Sequence, residues 1–438
     1  MNSTRETAVR LVEQVCNGGA YTNLLLSKYL RENNLTDLDR RFLTELVYGT
    51  VKAWGTLDWY LAKFVNQPLN KIEPLVLSDL RVAVFQILYL EKVPASAAVN
   101  EAVELAKKLA NPGAAKLVNG VLRNFLRQQK EIEFPQNEAE RIALTLWHPK
   151  DLVKKWLKYY GREETIALCN FNNSSAPLCL RVNTLKTTKE QLGVELEKLG
   201  VEFVFSKLAK DGIVCKKIPN LGMMLDKLAG QFYIQDESSM LVAELLAPQP
   251  GQKILDLCAA PGGKTTHITQ IMNNQGSILA CDIHSHKLPL IENNAQGLGI
   301  SIIETKLHDA TELNEEFIDS FDGVLVDAPC SGLGVLRRRA EARWKKTRDV
   351  IKVFPPLQSS ILNNGAKYVK ENGKLVYSTC TIEQSENHYV VAKFLEEHPN
   401  FKLVSERQLL PQRDGVDGFY MALLRRKGQG IGRKRISN

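Results

Sequence analysis

Ile254-Leu255-Asp256-Leu257-Cys258-Ala259-Ala260-Pro261-Gly262-Gly263-Lys264-Thr265-Thr266 is the stretch on which the reading of this chain turns. An apolar run of strand type ends in a turn of small residues and glycines, and the residues beyond it open a helix. Glycine and alanine let a ligand approach the backbone closely. In open α/β sheets the carboxyl end of a strand is where ligands sit. The spacing is neither G-x-G-x-x-G nor G-x-x-x-x-G-K-[ST], so the usual nicotinamide and P-loop fingerprints are absent. Asp282 stands twenty residues beyond Gly262, just after the run Ile278-Leu279-Ala280-Cys281. An acidic side chain there is suited to accept from two ribose hydroxyls, although Asp also commonly caps helices. Asp309 follows the next strand region and is a candidate for an adenine amine.

Strand-like segments recur around this turn at Lys253–Leu257, Ser277–Cys281, Ser301–Thr305, Gly323–Val326 and Lys374–Tyr377, with helical patterns between them. That rhythm predicts a doubly wound, mostly parallel α/β sheet over residues 230–427. Residues 145–229 read as a small α+β module. A helix lies near Leu152–Tyr160, a strand at Leu178–Val182, a helix at Lys189–Leu199 and a strand at Val201–Phe205. Residues 1–135 read as all-helical. Apolar residues recur at helical spacing in Ala8–Val15, Phe42–Val47, Leu75–Leu90, Ala97–Leu109 and Val118–Phe125. The tail, residues 428–438, reads as basic and flexible, with a basic run already starting at Arg425.

A chain of 438 residues is too long for one ordinary core. Its net charge of +8 suits a polyanionic partner without requiring one. The start is polar, with no secretory signal, and no segment is long and apolar enough to span a bilayer. Eight cysteines with no C-x-x-C pair read as reduced thiols, not a disulfide or zinc framework. The expectation is a cytoplasmic, metal-free protein.

Two cysteines stand apart. Phe321–Val326 reads as a buried strand running into Asp327-Ala328-Pro329-Cys330-Ser331-Gly332, and Leu375-Val376-Tyr377 runs into Ser378-Thr379-Cys380-Thr381. Both thiols are therefore expected at the carboxyl ends of neighbouring strands, facing the same crevice. Free cysteine usually fills space in a core; that is the expectation for Cys16, Cys169, Cys179, Cys215 and Cys281. Cys258 is expected to line the glycine turn.

At these residues the sequence closely resembles the Nol1/Nop2/Sun family of RNA cytosine-5 methyltransferases, and within it the bacterial RsmB/Sun (Fmu) branch. The resemblance covers essentially the whole chain. It rests on Cys258–Thr265, Asp327–Gly332 and Ser378–Thr381, with Gln235-Asp236-Glu237-Ser238-Ser239 and Asp417-Gly418-Phe419-Tyr420. The helical domain resembles the RNA-binding NusB family through Asp39-Arg40-Arg41-Phe42, Val47-Tyr48-Gly49-Thr50 and Val118–Asn124. The fold implied is multi-domain: an all-α NusB-like domain, a small α+β module and a Rossmann-like methyltransferase domain.

The resemblance implies S-adenosyl-L-methionine as cofactor, held by Cys258, Ala259, Ala260, Pro261, Gly262, Gly263 and Lys264 together with Asp282, Asp309 and Asp327. It implies Cys380 as nucleophile and Cys330 as the thiol that helps release the product. A thiolate adding to carbon 6 makes carbon 5 of cytosine enamine-like, and Asp327 is suited to the base's N3 or amino edge. DNA cytosine methyltransferases carry their nucleophile in a Pro-Cys motif, so the two cysteines favour RNA. The NusB-like fusion implies 16S ribosomal RNA, naked or in an assembling particle, as the partner of a protein expected to be monomeric. Arg181, Arg337, Arg338 and Arg339 are candidate RNA contacts, as is Arg343. The segment Arg337–Trp344 departs from the family's R-R-x-P-D-I-[KR]-[WY], which leaves this loop's conformation open. The rivals are the same chemistry on transfer RNA or large-subunit rRNA, or a NusB-like binding protein with an inactive catalytic domain. The last predicts a broken turn or a missing cysteine, and both motifs are intact.

Overall fold

The computed structural model describes residues 3–345 and 348–428. The chain divides into a helical unit, Met1–Ser175 with Leu336–Arg348, and an α/β unit, Ala176–Val335 with Asp349–Asn438.

The helical unit is built on the helices Thr4–Cys16, Thr22–Glu32, Asp37–Leu61, Pro74–Tyr89, Ala95–Leu109, Pro112–Gln128, Glu138–Thr145 and Lys150–Asn173. Helix starts follow capping chemistry: Ser3 accepts from the Glu6 N–H, and Thr36 accepts from the Asp39 N–H. Apolar stripes converge on a core that includes Val9, Val12, Leu43, Leu80, Val118 and Phe125. The sequence reading closed this domain at residue 135. The structure carries it to Ser175, because the last long helix buries Val153, Trp156 and Leu168. That helix kinks at Gly161, whose φ of 76° an L side chain rarely adopts.

The unit is completed by a segment from far along the chain. Leu336–Arg348 places Ala340 in the helical core. The Trp344 indole donates to the Val51 carbonyl at 2.9 Å. Its ring lies where a side chain at Gly55 would be: a Cβ there would come within 2.3 Å of it. The Thr22 hydroxyl donates to Glu341 at 2.6 Å.

In the α/β unit, β1 (Leu178–Val182), β2 (Glu202–Phe205), β3 (Gly212–Lys217) and β4 (Phe232–Ile234) form an antiparallel sheet in the order β2-β3-β1-β4. The larger sheet holds β5 (Lys253–Asp256), β6 (Ser277–Asp282), β7 (Ile303–Leu307), β8 (Phe321–Asp327), β9 (Val369–Thr379), β10 (Phe401–Leu409) and β11 (Phe419–Arg426), in the order β10-β11-β9-β8-β5-β6-β7. Pairing is parallel from β9 to β7 and antiparallel across β10, β11 and β9. The inner parallel strands β5, β6, β8 and β9 are largely buried, as helix-covered strands must be, whereas β7 at the edge is partly exposed. Leu255, Val324, Val326 and Tyr377 pack with Ile361, Val390 and Phe394 on one side. Ile254, Leu325 and Val376 pack with Met240 and Ile268 on the other.

The expected α/β class is therefore present, and the seven foreseen strands, five in the larger sheet with β1 and β2 in the smaller, are in place. β3, β4, β10 and β11 were not foreseen. β10 is an edge strand whose middle is exposed, so it lacks an apolar signature. Arg425 and Arg426, read as the start of a tail, end β11 instead, and Arg426 pairs with Asp319. The remaining tail basics, Arg433, Lys434 and Arg435, lie outside the described residues.

Candidate active site

The strand order reverses between β5 and β8, since β6 lies to one side of β5 and β8 to the other. Ligands of open α/β sheets bind at such a switch point. Here a cleft of about 180 Å³ is lined by Cys258, Ala259, Ala260, Pro261, Gly263 and Lys264 from the glycine turn, Asp256 and Asp327 from the strand ends, and Tyr233, Gln235 and Ser239 from the preceding segment. Gly262 has a φ of 100°, and a Cβ on it would press to 3.2 Å from the Ile291 backbone. This position therefore needs glycine on two counts.

The sheet register sets the chemistry side by side. Asp327 of β8 pairs with Ser378 of β9, so the two strands end level. The Ser378 hydroxyl donates to Asp327 Oδ1 at 2.7 Å, and the Lys264 ammonium meets Oδ2 at 2.6 Å. Burial, the largest single influence on Lys264, works against its charge. Asp327, Cys380 and Asp256 together outweigh it and raise the lysine's pKa. Asp256 is fully buried, accepts from the Thr265 hydroxyl at 2.7 Å, and is pushed by that burial up to about 7.

Beyond these strand ends the Cys330 and Cys380 sulfurs lie 3.4 Å apart. The hydrogen bond to Cys380, then burial, holds the Cys330 thiol well above its ordinary range. The loops that carry them are tied to each other. The Gly334 N–H donates to the Cys380 carbonyl at 3.1 Å, and the Ser331 and Thr381 hydroxyls are 2.8 Å apart. The thiols expected to be core filling behave so at Cys169 and Cys281, where burial raises the pKa to about 12.

Other candidates fall elsewhere. Asp282 accepts from the Ala260 N–H at 3.3 Å and the His284 N–H at 3.0 Å, so it both touches the glycine turn and caps its own. Asp309 uses one oxygen on Thr311, and those hydrogen bonds lower its pKa. Neither is among the residues lining the cleft. Arg181 is not placed to meet RNA. It is fully buried, donating to Gln235, to the Gly263 carbonyl and, at 2.9 Å, to Thr266, with its guanidinium over the Tyr233 ring. It braces the glycine turn from behind, and Asn183 is buried likewise, donating to the Gly230 and Leu298 carbonyls.

The arginine run divides as well. Arg343 is fully buried in the helical unit, donating to the carbonyls of Trp147 and Asn172 and to Asn173 Oδ1 at 2.9, 3.1 and 2.7 Å. Arg337 is buried over the Phe171 ring. Arg338 is half-buried, and Arg339 is exposed, 5.8 Å from the centre of the Tyr21 ring. An apolar scaffold thus claims two of these arginines. Asp256, Ser378, Gln358 and Glu386 were missed as site residues. Asp256 alone carried a local signal, a charge inside an apolar strand.

Among known proteins, the family model for the 16S rRNA methyltransferase RsmB/F matches residues 243–425. The NusB family matches 2–127, and the ferredoxin-like domain of RsmF/B-like methyltransferases matches 148–220. The chain is 39% identical to the probable ribosomal RNA small subunit methyltransferase B of Bacillus subtilis, over 97% of this chain and 99% of that one. It is 33% identical to ribosomal RNA small subunit methyltransferase B of Proteus mirabilis, over 97% and 98%. The crystal structure of PH0851 superposes with a TM-score of 0.86 at 27% identity, covering 97% of this chain and 99% of that one.

Proposed function

Because this chain belongs to the family of ribosomal RNA small subunit methyltransferases B, we propose that it methylates carbon 5 of a cytosine in 16S rRNA, with Cys380 bonded transiently to carbon 6 of the base. The observation that carries this reading is the pair of sulfurs 3.4 Å apart at level strand ends, beside the Lys264–Asp327 ion pair.

S-adenosyl-L-methionine is the methyl donor of this family and supplies an electrophilic methyl group when bound. The cleft fits it. The small residues Ala259, Ala260 and Gly263 leave room for a ligand, and Asp256 Oδ1 has no hydrogen-bond partner among the described residues. Acidic oxygens suit a cationic sulfonium and ammonium. Asp282 and Asp309, at the ends of β6 and β7, complete the proposed cofactor set for ribose and adenine.

The chain's own groups then act in order. The Lys264 ammonium, which interacts with Cys380, favours a thiolate there. That thiolate forms a bond to carbon 6, and the electron pair of the 5,6 double bond moves to make carbon 5 nucleophilic. Asp327, fixed by Lys264 and Ser378, is oriented to hold the base's N3 or amino edge. Once carbon 5 carries the methyl group, its proton passes to water and the sulfur–carbon 6 bond breaks. The double bond is restored and Cys380 returns as thiolate. Cys330 assists this release. A cytosine stacked in a helix must first be turned out into the pocket.

The test uses two variants and 16S rRNA. Cys380→Ala is expected to abolish transfer of labelled methyl groups. Cys330→Ala is expected to accumulate a protein–RNA adduct that survives a denaturing gel. Bisulfite mapping locates the methylated base. Full incorporation by Cys380→Ala overturns the covalent reading.

A further inference from the structure

The turn that carries Cys330 is held from behind by a carboxylate that the proposed chemistry does not use. Glu386 follows β9 and is completely buried. Its Oε2 accepts from the Ser331 N–H at 2.8 Å and from the Gln358 side chain at 3.1 Å, while Gln358 also donates to the Pro329 carbonyl at 2.9 Å. The residues on either side of Cys330 are thus both tied to Glu386, one directly and one through Gln358. The Tyr377 hydroxyl secures the Glu386 backbone carbonyl at 2.6 Å. Among the described residues Oε1 has no hydrogen-bond partner, and no cation pairs with the carboxylate. A buried carboxylate with an unsatisfied oxygen and no counter-charge is costly for a fold to keep. A neutral glutamine could accept the same N–H bond. The charge itself therefore calls for a use.

Two like thiols need something to tell them apart. The ionisable groups of the α/β unit that face them are Lys264, which interacts with Cys380 and is itself held by Asp327 and Asp256, and Glu386 with Tyr377, which interact with Cys330, Glu383 standing behind Glu386. The cation is on one side and the unpaired anion is on the other. We propose that Glu386 is a positioning residue for Cys330: it clasps the Pro329–Ser331 turn and, by its negative charge, keeps the Cys330 thiol protonated while Cys380 attacks. The inference rests on the proposed division of labour between the two cysteines.

The direction of the effect follows from electrostatics. An anion close to a thiol raises the pH at which the thiolate forms, and removing the anion lowers it. Burial holds the Glu386 carboxyl above its ordinary range, and the Ser331 and Gln358 donors, which favour the charged form, offset only part of this.

The measurement is the pH dependence of alkylation by iodoacetamide, read at Cys330 by peptide mass spectrometry in full-length Cys380→Ala protein without RNA. Adding Glu386→Gln is expected to lower the Cys330 midpoint by about one pH unit, or about tenfold faster alkylation below the midpoint. Glu386→Asp, which keeps the charge, is expected to stay near the parent midpoint. An unchanged midpoint in a folded Glu386→Gln protein overturns the proposal. Should that variant not fold, the two thiols are compared in protein with Glu386 intact: Cys330 in Cys380→Ala must titrate at higher pH than Cys380 in Cys330→Ala. The reverse order overturns the proposal too. These readouts need no methyl transfer, so they fail separately from the covalent reading, which falls only if Cys380→Ala still methylates RNA.

Discussion

Two chain segments leave the parallel sheet beside each other, after β5 and after β8, and they are treated differently. The exit of β5 turns on Gly262 and re-enters its own unit as the helix Gly263–Ile271, braced by Arg181. The exit of β8 passes Asp327 and Cys330, and from Leu336 to Arg348 it belongs to the helical unit, fixed there by Arg343 and Trp344. One exit is closed mainly by local backbone geometry at Gly262, with Arg181 as a distant brace. The other is held by side chains whose partners lie far away in sequence. Lys264 of the first exit grips Asp327 of the second, so the site depends on both kinds of order.

The largest expected effect comes from cutting that link. Lys264→Met should leave Asp327 without its cation and lower the methyl-transfer rate by about 100-fold or more, measured in single turnover with 16S rRNA. A rate within a few-fold of the parent would mean that the exits act independently. Next is the anchor of the second exit. Arg343→Ala leaves the Trp147 and Asn172 carbonyls and the Asn173 amide oxygen without their donor and should destabilise the helical unit by about 3 kcal/mol, read by urea unfolding. Arg343→Lys should recover only part of this, because an ammonium lacks the planar fork. The smallest effect belongs to the exposed end of the same segment. Arg339→Ala should weaken RNA binding a few-fold, reduce its salt dependence by about one ion, and leave kcat unchanged. No change in either binding term would leave the segment without a direct RNA contact at Arg339.

The same contrast explains how much could be read from the sequence. The β5 exit was legible because its constraints are local: strand pattern, small residues, and glycine where φ is positive. The neighbouring thiols were legible because two strand-then-cysteine runs in a doubly wound sheet end at one edge. The arginines were not. Arg343 stands in a polar run and looks like a surface group, while Arg181 is a charge inside an apolar strand, but nothing near either in sequence announces the partners that bury it. Glu386 was overlooked for a similar reason, since its partners Ser331 and Gln358 come from two other elements. That the compact helical unit also takes in Leu336–Arg348 was not legible, because this piece lies beyond most of the α/β unit in sequence. The edge strand β10 was missed because solvent erases the alternation that marks a buried strand.

The displaced segment also sets a timetable for synthesis. A ribosome delivers residues 1–175 first, but the helical core lacks Ala340, Trp344 and the Arg343 anchor until residues 176–335 have been made. The domain that emerges first therefore completes its packing late. The loop that carries Cys330 matures later still, because its ties to Gln358, Cys380, Thr381 and Glu386 await residues 358–386.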